Sequence, residues 1–369
     1  MTDRTSQHIP SLDGIRAICV LLVFVTHAGH KEWIPGAFGV TVFFFLSGFL
    51  ITTLLRQEYD KTRDISIRNF MMRRVLRIWP AFYLVLLTAI IVAEIFQPGT
   101  LKTPAVMAQL LHFTNYWIIH HTNEGGQPNG TSVYWSLSVE EHFYLAFPWV
   151  YLAMRRLKMS GRDQAFTLWG ICAVVLAWRS WLVTHGASVE RTYLATDTRI
   201  DSILFGCALA VWNSPVVDRP RLDVRAWTRA VIPLSFAVLL LCFVIRSDAF
   251  METLAYSIQG IALNVVFVAA IRFKDWWAFR WLNSRAMMLI GALSFSIYLI
   301  HFSVLQAVQR AFPTHAYIDS LFAFAITVSL AWIIYQVVER PCARLRQRFT
   351  FKPIISPGQT AVPEVSGGE

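Results

Sequence analysis

Apolar positions along the chain fall into ten long runs that are separated by shorter polar or basic connections. An α-helix needs roughly 20 mostly apolar residues to cross a bilayer. The pattern therefore predicts an all-α, polytopic membrane protein with about ten transmembrane helices. The predicted spans are residues 12–30, 36–55, 78–96, 133–154, 165–184, 199–213, 229–246, 251–271, 287–306 and 319–338.

Positive charge is distributed unevenly between alternate connections. Of the 33 Lys and Arg residues, 24 lie in one alternating set of connections and five in the other. Because Lys and Arg collect on the cytoplasmic side, this split predicts that both termini are cytoplasmic. The long outer connection 97–133 contains an apolar stretch, 106–119, that polar residues interrupt. We expect this stretch to lie on the surface or to re-enter the membrane.

Composition supports the membrane class. Apolar residues make up 55% of the chain, charged residues only 15%, and the mean hydropathy is +0.47. This leaves too little polar surface for a water-facing globule and excludes a disordered chain. The net charge of +10 follows the predicted topology, so we expect membrane lipids and no nucleic acid as partners. The five cysteines include no CxxC pair and predict neither disulfides nor a metal site.

The chain divides into two predicted parts. Residues 1–341 would form the membrane domain, and residues 342–369 a cytoplasmic basic tail that is disordered after residue 353, where Pro, Gly and Ser are frequent. Three histidines of the outer connection lack convincing ligand spacing, and we expect no metal there. They are His112, His120 and His121.

Ionisable residues within the first span are the first functional signal, since such residues usually mark a functional cavity. Arg16 and His27 are eleven positions apart, which places both on one helix face at a separation of about 16 Å. His is the side chain best suited to accept a proton near neutral pH. The alternative is a snorkelling Arg and a His at a helix end.

Two adjacent carboxylates, Glu140 and Glu141, lie in the outer half of the fourth span and point to different faces. A carboxylate beside a His can orient its imidazole, and we expect Glu140 to do this for His27. The alternative is an interfacial capping cluster in which Trp135 and Tyr144 are belt residues.

Three further groups of polar residues are open to two interpretations each. Ser47 and Gly48 indicate either close helix packing or a ligand passage. The arginines at 73, 74 and 77 are either cytoplasmic anchors or ligands for phosphate. Asp197, Arg199 and Asp201 would form an internal ion pair or recognise sugar hydroxyls.

A polar stripe follows helical spacing on the ninth span, where Ser294, Tyr298 and His301 share one face. The residues proposed to line a pore or contact the acceptor are Ser47, Trp135, Asp197, Arg199, Asp201, Tyr298 and His301.

Taken together, these segments resemble the acyltransferase-3 family of ten-span membrane acyltransferases of bacterial envelopes. Arg16 and His27 fit the family's Arg-x10-His motif. One local departure is His142, where Gln is more usual. The matching segments are spread over nearly all of residues 9–341: Ser11–Ala17, Phe44–Ile51, Arg73–Pro80, Trp135–Tyr144, Asp197–Gly206, Ser294–His301 and Glu339–Pro341.

The resemblance implies transfer of an acyl group, most often acetyl from cytoplasmic acetyl-CoA, to a hydroxyl of an envelope glycan or lipid-linked sugar. The protein would lie in the bacterial cytoplasmic (inner) membrane. By motif position, Arg16 and His27 are the essential pair, and Glu140 is the Glu of the Trp-Ser-Leu motif. The expected CoA-binding residues are Arg16, Arg73, Arg74 and Arg77. Some relatives carry a fused esterase-like domain, whose role would here be absent or supplied by a partner.

We hypothesise that CoA phosphates rest on these arginines and that His27 acts as general base, or as an acyl-carrying nucleophile, on the acceptor hydroxyl. Other interpretations remain. The acceptor could be a small glycosylated metabolite, or the protein could be a non-enzymatic scaffold. A secondary transporter is less favoured, because repeated halves with broken helices are not evident in the sequence.

Overall fold

The structure is a computed structural model that describes residues 9–29, 36–122, 124–218, 222–312 and 316–349. Within these ranges the regular elements are all helices, which confirms the all-α prediction. The long helices are α1 (Pro10–His27), α2 (Gly36–Thr62), α3 (Ile67–Phe96), α6 (Trp135–Arg156), α7 (Gly161–Thr184), α9 (Thr196–Val211), α11 (Ile232–Val244), α13 (Leu254–Arg272), α14 (Arg285–Ala311) and α15 (Ala316–Ile334).

Each of the ten predicted spans overlaps one of these long helices. The short helix α10 (Val224–Ala226) leads into α11. Eight of the helices in the described ranges are long and apolar enough to cross a membrane. The two others are α6 and α9. Helix α6 carries Glu140 and Glu141, and α9 has 16 residues, or about 24 Å, which is shorter than the hydrocarbon core. The protein is a multi-pass membrane protein, and the orientation of its termini stays a prediction.

The helices divide into an inner and a peripheral group. More than half of the apolar window of α2, α13 and α14 is buried, against less than a quarter for α3, α7, α15 and the helix that contains α11. Gly48 on α2 and Gly206 on α9 allow these two helices to pack very closely. A Cβ on either glycine would lie 2.0 Å from a main-chain oxygen of the opposite helix. The close-packing interpretation of Ser47-Gly48 is therefore correct for the glycine.

The outer connection folds into short helices. Helices α4 (Thr103–Leu110) and α5 (Thr114–His120) replace the single surface or re-entrant segment predicted at 106–119. They are separated where His112 adopts a left-handed conformation, with φ of 57°. The side chain of Asn115 donates to the carbonyl oxygen of Leu194, the last residue of the short helix α8 (Val189–Leu194), and to the hydroxyl of Thr196, the first residue of α9. A further turn, α12 (Asp248–Met251), precedes α13.

The last helix continues beyond its predicted end. Helix α15 passes through a π-helical turn, Tyr335–Glu339, into α16 (Arg340–Arg346). The carbonyl oxygen of Phe349 accepts a hydrogen bond from Arg73 on α3, with the atoms 2.8 Å apart. The first residues of the predicted tail are thus helical and held against α3, while the predicted disorder after residue 353 lies outside the described residues.

Candidate active site

Helix α1 carries charged or titratable side chains at its two ends. Near its start, Arg16 pairs with Asp13 at 2.7 Å and interacts electrostatically with Arg77 and Glu140. At its last residue, the His27 Nδ1 atom lies 3.0 Å from the Val23 carbonyl oxygen. The eleven-residue separation places these two groups about 16 Å apart along the helix.

The partner of His27 is a second histidine. His301 on α14 is fully buried, and its Nε2 atom lies 3.1 Å from Nδ1 of His27. The two ring centres are 5.1 Å apart, and the ring of Phe302 lies 4.6 Å from that of His27. The other nitrogen of His301, Nδ1, is 2.8 Å from the carbonyl oxygen of Tyr298. The predicted polar stripe on α14 therefore points into the protein at this position.

The hydrogen-bond donors to Glu140 lie on α2 and α6, and its predicted role as the carboxylate that orients His27 stays a prediction. Its two carboxylate oxygens accept hydrogen bonds from Ser47 at 2.9 Å and from Tyr144 at 2.6 Å. It also interacts electrostatically with Arg16 and Arg77. The carboxylate therefore offsets part of the positive charge of these arginines, and it also acts electrostatically on Tyr298 of α14.

The three arginines of α3 fall into two environments. Arg73 is buried and pairs with Glu58 of α2 at 2.8 Å, so its charge is already compensated. The guanidinium of Arg74 lies over the rings of Phe70 and Tyr144, and its buried Nε atom has no hydrogen-bond partner within the described residues. Among the predicted CoA ligands, Arg77 interacts electrostatically with Arg16 and with Arg74, and Arg73 interacts with Arg74 while its own charge is paired with Glu58. Their roles in CoA binding stay predictions.

Two further residues, Arg346 and Glu339, lie near these arginines, and neither was among the candidate site residues predicted from the sequence. Arg346 on α16 interacts electrostatically with Arg16, Arg73, Arg74 and Arg77. Glu339 accepts a hydrogen bond from Ser296 and interacts with Arg77 and Arg346. The sequence offered one signal for Glu339, since an acidic residue directly after the last predicted span is unusual. We refer to Arg16, Arg74, Arg77 and Arg346 as the basic cluster.

Asp197 and Asp201 both form ion pairs, but their partners lie on other helices and neither pairs with Arg199 in the described residues. Asp201 pairs at 2.9 Å with Arg179 of α7, and neither side chain is exposed to solvent. Asp197 accepts a hydrogen bond from Arg191 at 3.0 Å. Their roles in sugar recognition remain predictions.

Arg199 itself is held by aromatic rings. Its guanidinium lies 3.8 Å from the ring centre of Tyr256 and 5.1 Å from that of Tyr193, and it donates to the Thr41 hydroxyl at 2.9 Å. Its Nε and Nη1 atoms are buried without hydrogen-bond partners in the part of the chain that the structure describes. Cation–π contact replaces a carboxylate here.

Other predicted acceptor residues lie between Arg199 and the two histidines. The Trp135 ring centre is 4.8 Å from that of Tyr193, which in turn contacts Arg199. The Tyr298 hydroxyl is 2.6 Å from the Ser136 hydroxyl, and the Tyr298 ring lies 5.6 Å from His301. Polar and aromatic side chains thus form a connected series from Arg199 to His301.

Two of the histidines in the connection 97–133 pack against aromatic rings. His112 lies against the Phe82 ring at 4.7 Å, and burial, with a smaller effect of nearby His142, lowers the pKa of His112 to about 4. It is therefore neutral at physiological pH. His121 instead stacks on Trp117, with the ring centres 3.7 Å apart.

Comparison with known families agrees with the motif resemblance. A model described as an acyltransferase domain, that of the acyltransferase-3 family, matches residues 9–336. The chain therefore belongs to the acyltransferase-3 family and, by that membership, to the membrane acyltransferases. No solved structure matches the chain.

Curated relatives share the same domain. The chain is similar to the peptidoglycan O-acetyltransferase OatA of Listeria monocytogenes, with 30% identity over 82% of this chain and 50% of that protein. It is 31% identical to "Putative peptidoglycan O-acetyltransferase YrhL" of Bacillus subtilis over 92% of this chain and 56% of that protein. The chain spans about half the length of the curated relatives that it matches.

Proposed function

We propose that the protein is a membrane O-acetyltransferase that transfers the acetyl group of cytoplasmic acetyl-CoA to a hydroxyl of a cell-envelope glycan. It would act in the bacterial cytoplasmic membrane. The observation on which the proposal rests is the arrangement along α1, where a basic cluster and a histidine pair are about 16 Å apart. The relatives named as peptidoglycan O-acetyltransferases support a glycan acceptor.

The basic cluster suits the phosphates of CoA. Arginine offers planar, bidentate donors for phosphate, and four arginines from α1, α3 and α16 meet here. The unpaired Nε–H of Arg74 supports a role in holding a ligand, because a buried donor without a partner is costly. An extended pantetheine arm would then reach along α1 towards His27.

At the histidine end, His27 would act as the general base. The acceptor hydroxyl gives its proton to the His27 imidazole, and its oxygen attacks the thioester carbonyl carbon. The carbon–sulfur bond breaks, and the CoA thiolate leaves and takes the proton back from the imidazolium. If the acetyl group instead passes through His27 as a covalent intermediate, the same side chain is the nucleophile.

Transfer can be tested in two systems. Membrane vesicles that contain the protein and an envelope glycan would be supplied with radiolabelled acetyl-CoA, and label in the glycan would be counted. Glycans from a deletion strain and its complemented counterpart would be compared by mass. We expect label incorporation and an acetyl mass difference that depend on the intact protein. Glycans of equal mass, together with transport of unmodified acceptor, would indicate a transporter instead.

A further inference from the structure

Helices α1 and α14 run side by side in the same direction. At their early residues, a Cβ on Gly291 would lie 2.0 Å from the main-chain oxygen of Asp13, so glycine permits a very close approach. Further along, His27 on α1 and His301 on α14 meet through a direct hydrogen bond between their rings. Close packing of the two helices thus places the two imidazoles in contact although they are 274 residues apart.

The hydrogen bonds determine where the protons lie. A carbonyl oxygen only accepts, so Nδ1 of His301, 2.8 Å from the Tyr298 oxygen, must carry its proton. In the neutral ring, Nε2 of His301 is then an acceptor. Nδ1 of His27 faces that acceptor at 3.1 Å and the Val23 carbonyl oxygen at 3.0 Å, so it carries a proton that both share. The basic nitrogen of His27 is therefore Nε2.

The surroundings favour a neutral His301. Its side chain is not exposed to solvent, and the rings of Phe24 and Phe302 lie 6.4 Å and 6.3 Å from it. A charged imidazole in such a site carries a large desolvation cost, which a second positive charge on His27 would increase. His301 is thus suited to serve as a fixed acceptor throughout a catalytic cycle.

We propose that His301 is a positioning residue for acyl transfer, which holds His27 in the form with a basic Nε2 and stabilises the imidazolium that forms when His27 takes the hydroxyl proton. A buried carboxylate performs this task in serine hydrolases. Here a neutral imidazole, itself fixed by the Tyr298 carbonyl oxygen, performs it. The inference rests on the proposed acetyltransferase function. It assigns to His301 the orienting role that the sequence predicted for Glu140.

Two substitutions separate positioning from packing. His301→Phe keeps an aromatic ring beside Phe24 but removes the acceptor, whereas the amide oxygen of His301→Gln can still accept from Nδ1 of His27. We expect His301→Phe to lower kcat by about 100-fold with little change in KM for acetyl-CoA, because the basic cluster is at the other end of α1. His301→Gln should recover kcat to within roughly tenfold of the wild type.

A double-mutant cycle provides a readout that does not depend on rescue by Gln. In the His27→Ala background, His301→Phe should cause no further loss of the residual rate, because its effect acts through His27. His185→Phe, at the exposed end of α7, is the matched control and should leave kcat unchanged. Thermal unfolding of each variant in detergent reports on folding.

The outcomes distinguish the two proposals. If the wild-type protein transfers acetyl groups and His301→Phe has the same kcat, the positioning role is wrong while the proposed function stands. If His301→Phe lowers the transfer rate by the same factor in the wild-type and His27→Ala backgrounds, the positioning role is also wrong. If the wild-type protein itself transfers no acetyl group, the proposed function fails first.

Discussion

The two ends of α1 are surrounded by side chains of different chemistry. The end at Arg16 collects guanidinium and carboxylate groups, with Glu140 held by the hydroxyls of Ser47 and Tyr144. The end at His27 is built from imidazoles, phenyl rings and main-chain carbonyl oxygens. Guanidinium groups bind an anion strongly but do not release protons near neutral pH, whereas imidazoles exchange protons readily.

This difference divides the task of an acyltransferase into two parts. One end of the helix would hold the charged part of the donor, and the other would move the proton of the acceptor. The buried pair Arg179–Asp201, outside both regions, shows what a structural ion pair looks like in this fold, since its charges face each other directly. The basic cluster differs from this ion pair, because its arginines repel one another electrostatically in addition to attracting nearby carboxylates.

The largest expected effect is at the histidine end. His27→Ala should reduce kcat for acetyl transfer by about 10²–10⁴-fold, the usual contribution of a positioned general base. Transfer of label from acetyl-CoA to glycan would be measured in vesicles. His185→Ala, at an exposed histidine directly after α7, is the control. Wild-type turnover in His27→Ala would remove His27 from the chemistry.

At the arginine end, the effect should fall on binding. Changing both Arg74 and Arg77 to Ala should raise KM for acetyl-CoA by about 10-fold to 100-fold, because each charge-assisted phosphate contact contributes roughly 1 kcal/mol or more. Initial rates over a range of acetyl-CoA concentrations would show the change. Arg68→Ala, an exposed arginine earlier on α3, should leave KM unaltered. An unchanged KM in the double variant would make these residues topology anchors only.

Arg73 should behave differently from its neighbours. Its ion pair with Glu58 joins α3 to α2, so Arg73→Ala should lower the free energy of unfolding by about 3 kcal/mol and leave KM for acetyl-CoA near the wild-type value. Unfolding in detergent and steady-state kinetics would be compared for the same preparation. A large rise in KM without loss of stability would return Arg73 to the donor site.

The smallest expected effect comes from Glu140. Because this carboxylate lies with Arg16 and Arg77, Glu140→Gln removes a negative charge that competes with phosphate, and KM for acetyl-CoA should fall by about threefold. The amide can still accept from Ser47 or Tyr144. kcat should stay within a fewfold of the wild type. A loss of kcat as large as that of His27→Ala would instead place Glu140 in the proton transfer.

The sequence was sufficient for the helices because hydrophobic runs and helix lengths are local properties. It was also sufficient for the separation of Arg16 and His27, which one helix determines. The partner of His27 could not be predicted, since it depends on how α14 packs on α1. The division of Arg73 from Arg74 depended on Glu58, which lies on a part of α2 beyond the predicted end of that span. Arg346 was assigned to a tail because the π-helical turn that extends α15 has no clear sequence signal.

The central claim is that one end of α1 binds the donor and the other end moves the proton. Equilibrium binding of acetyl-CoA to purified His27→Ala protein, measured beside its rate of acetyl transfer, tests this most directly. We predict wild-type affinity for acetyl-CoA together with a transfer rate reduced by at least about 100-fold. Loss of acetyl-CoA binding in that variant, or transfer at the wild-type rate, would contradict the claim.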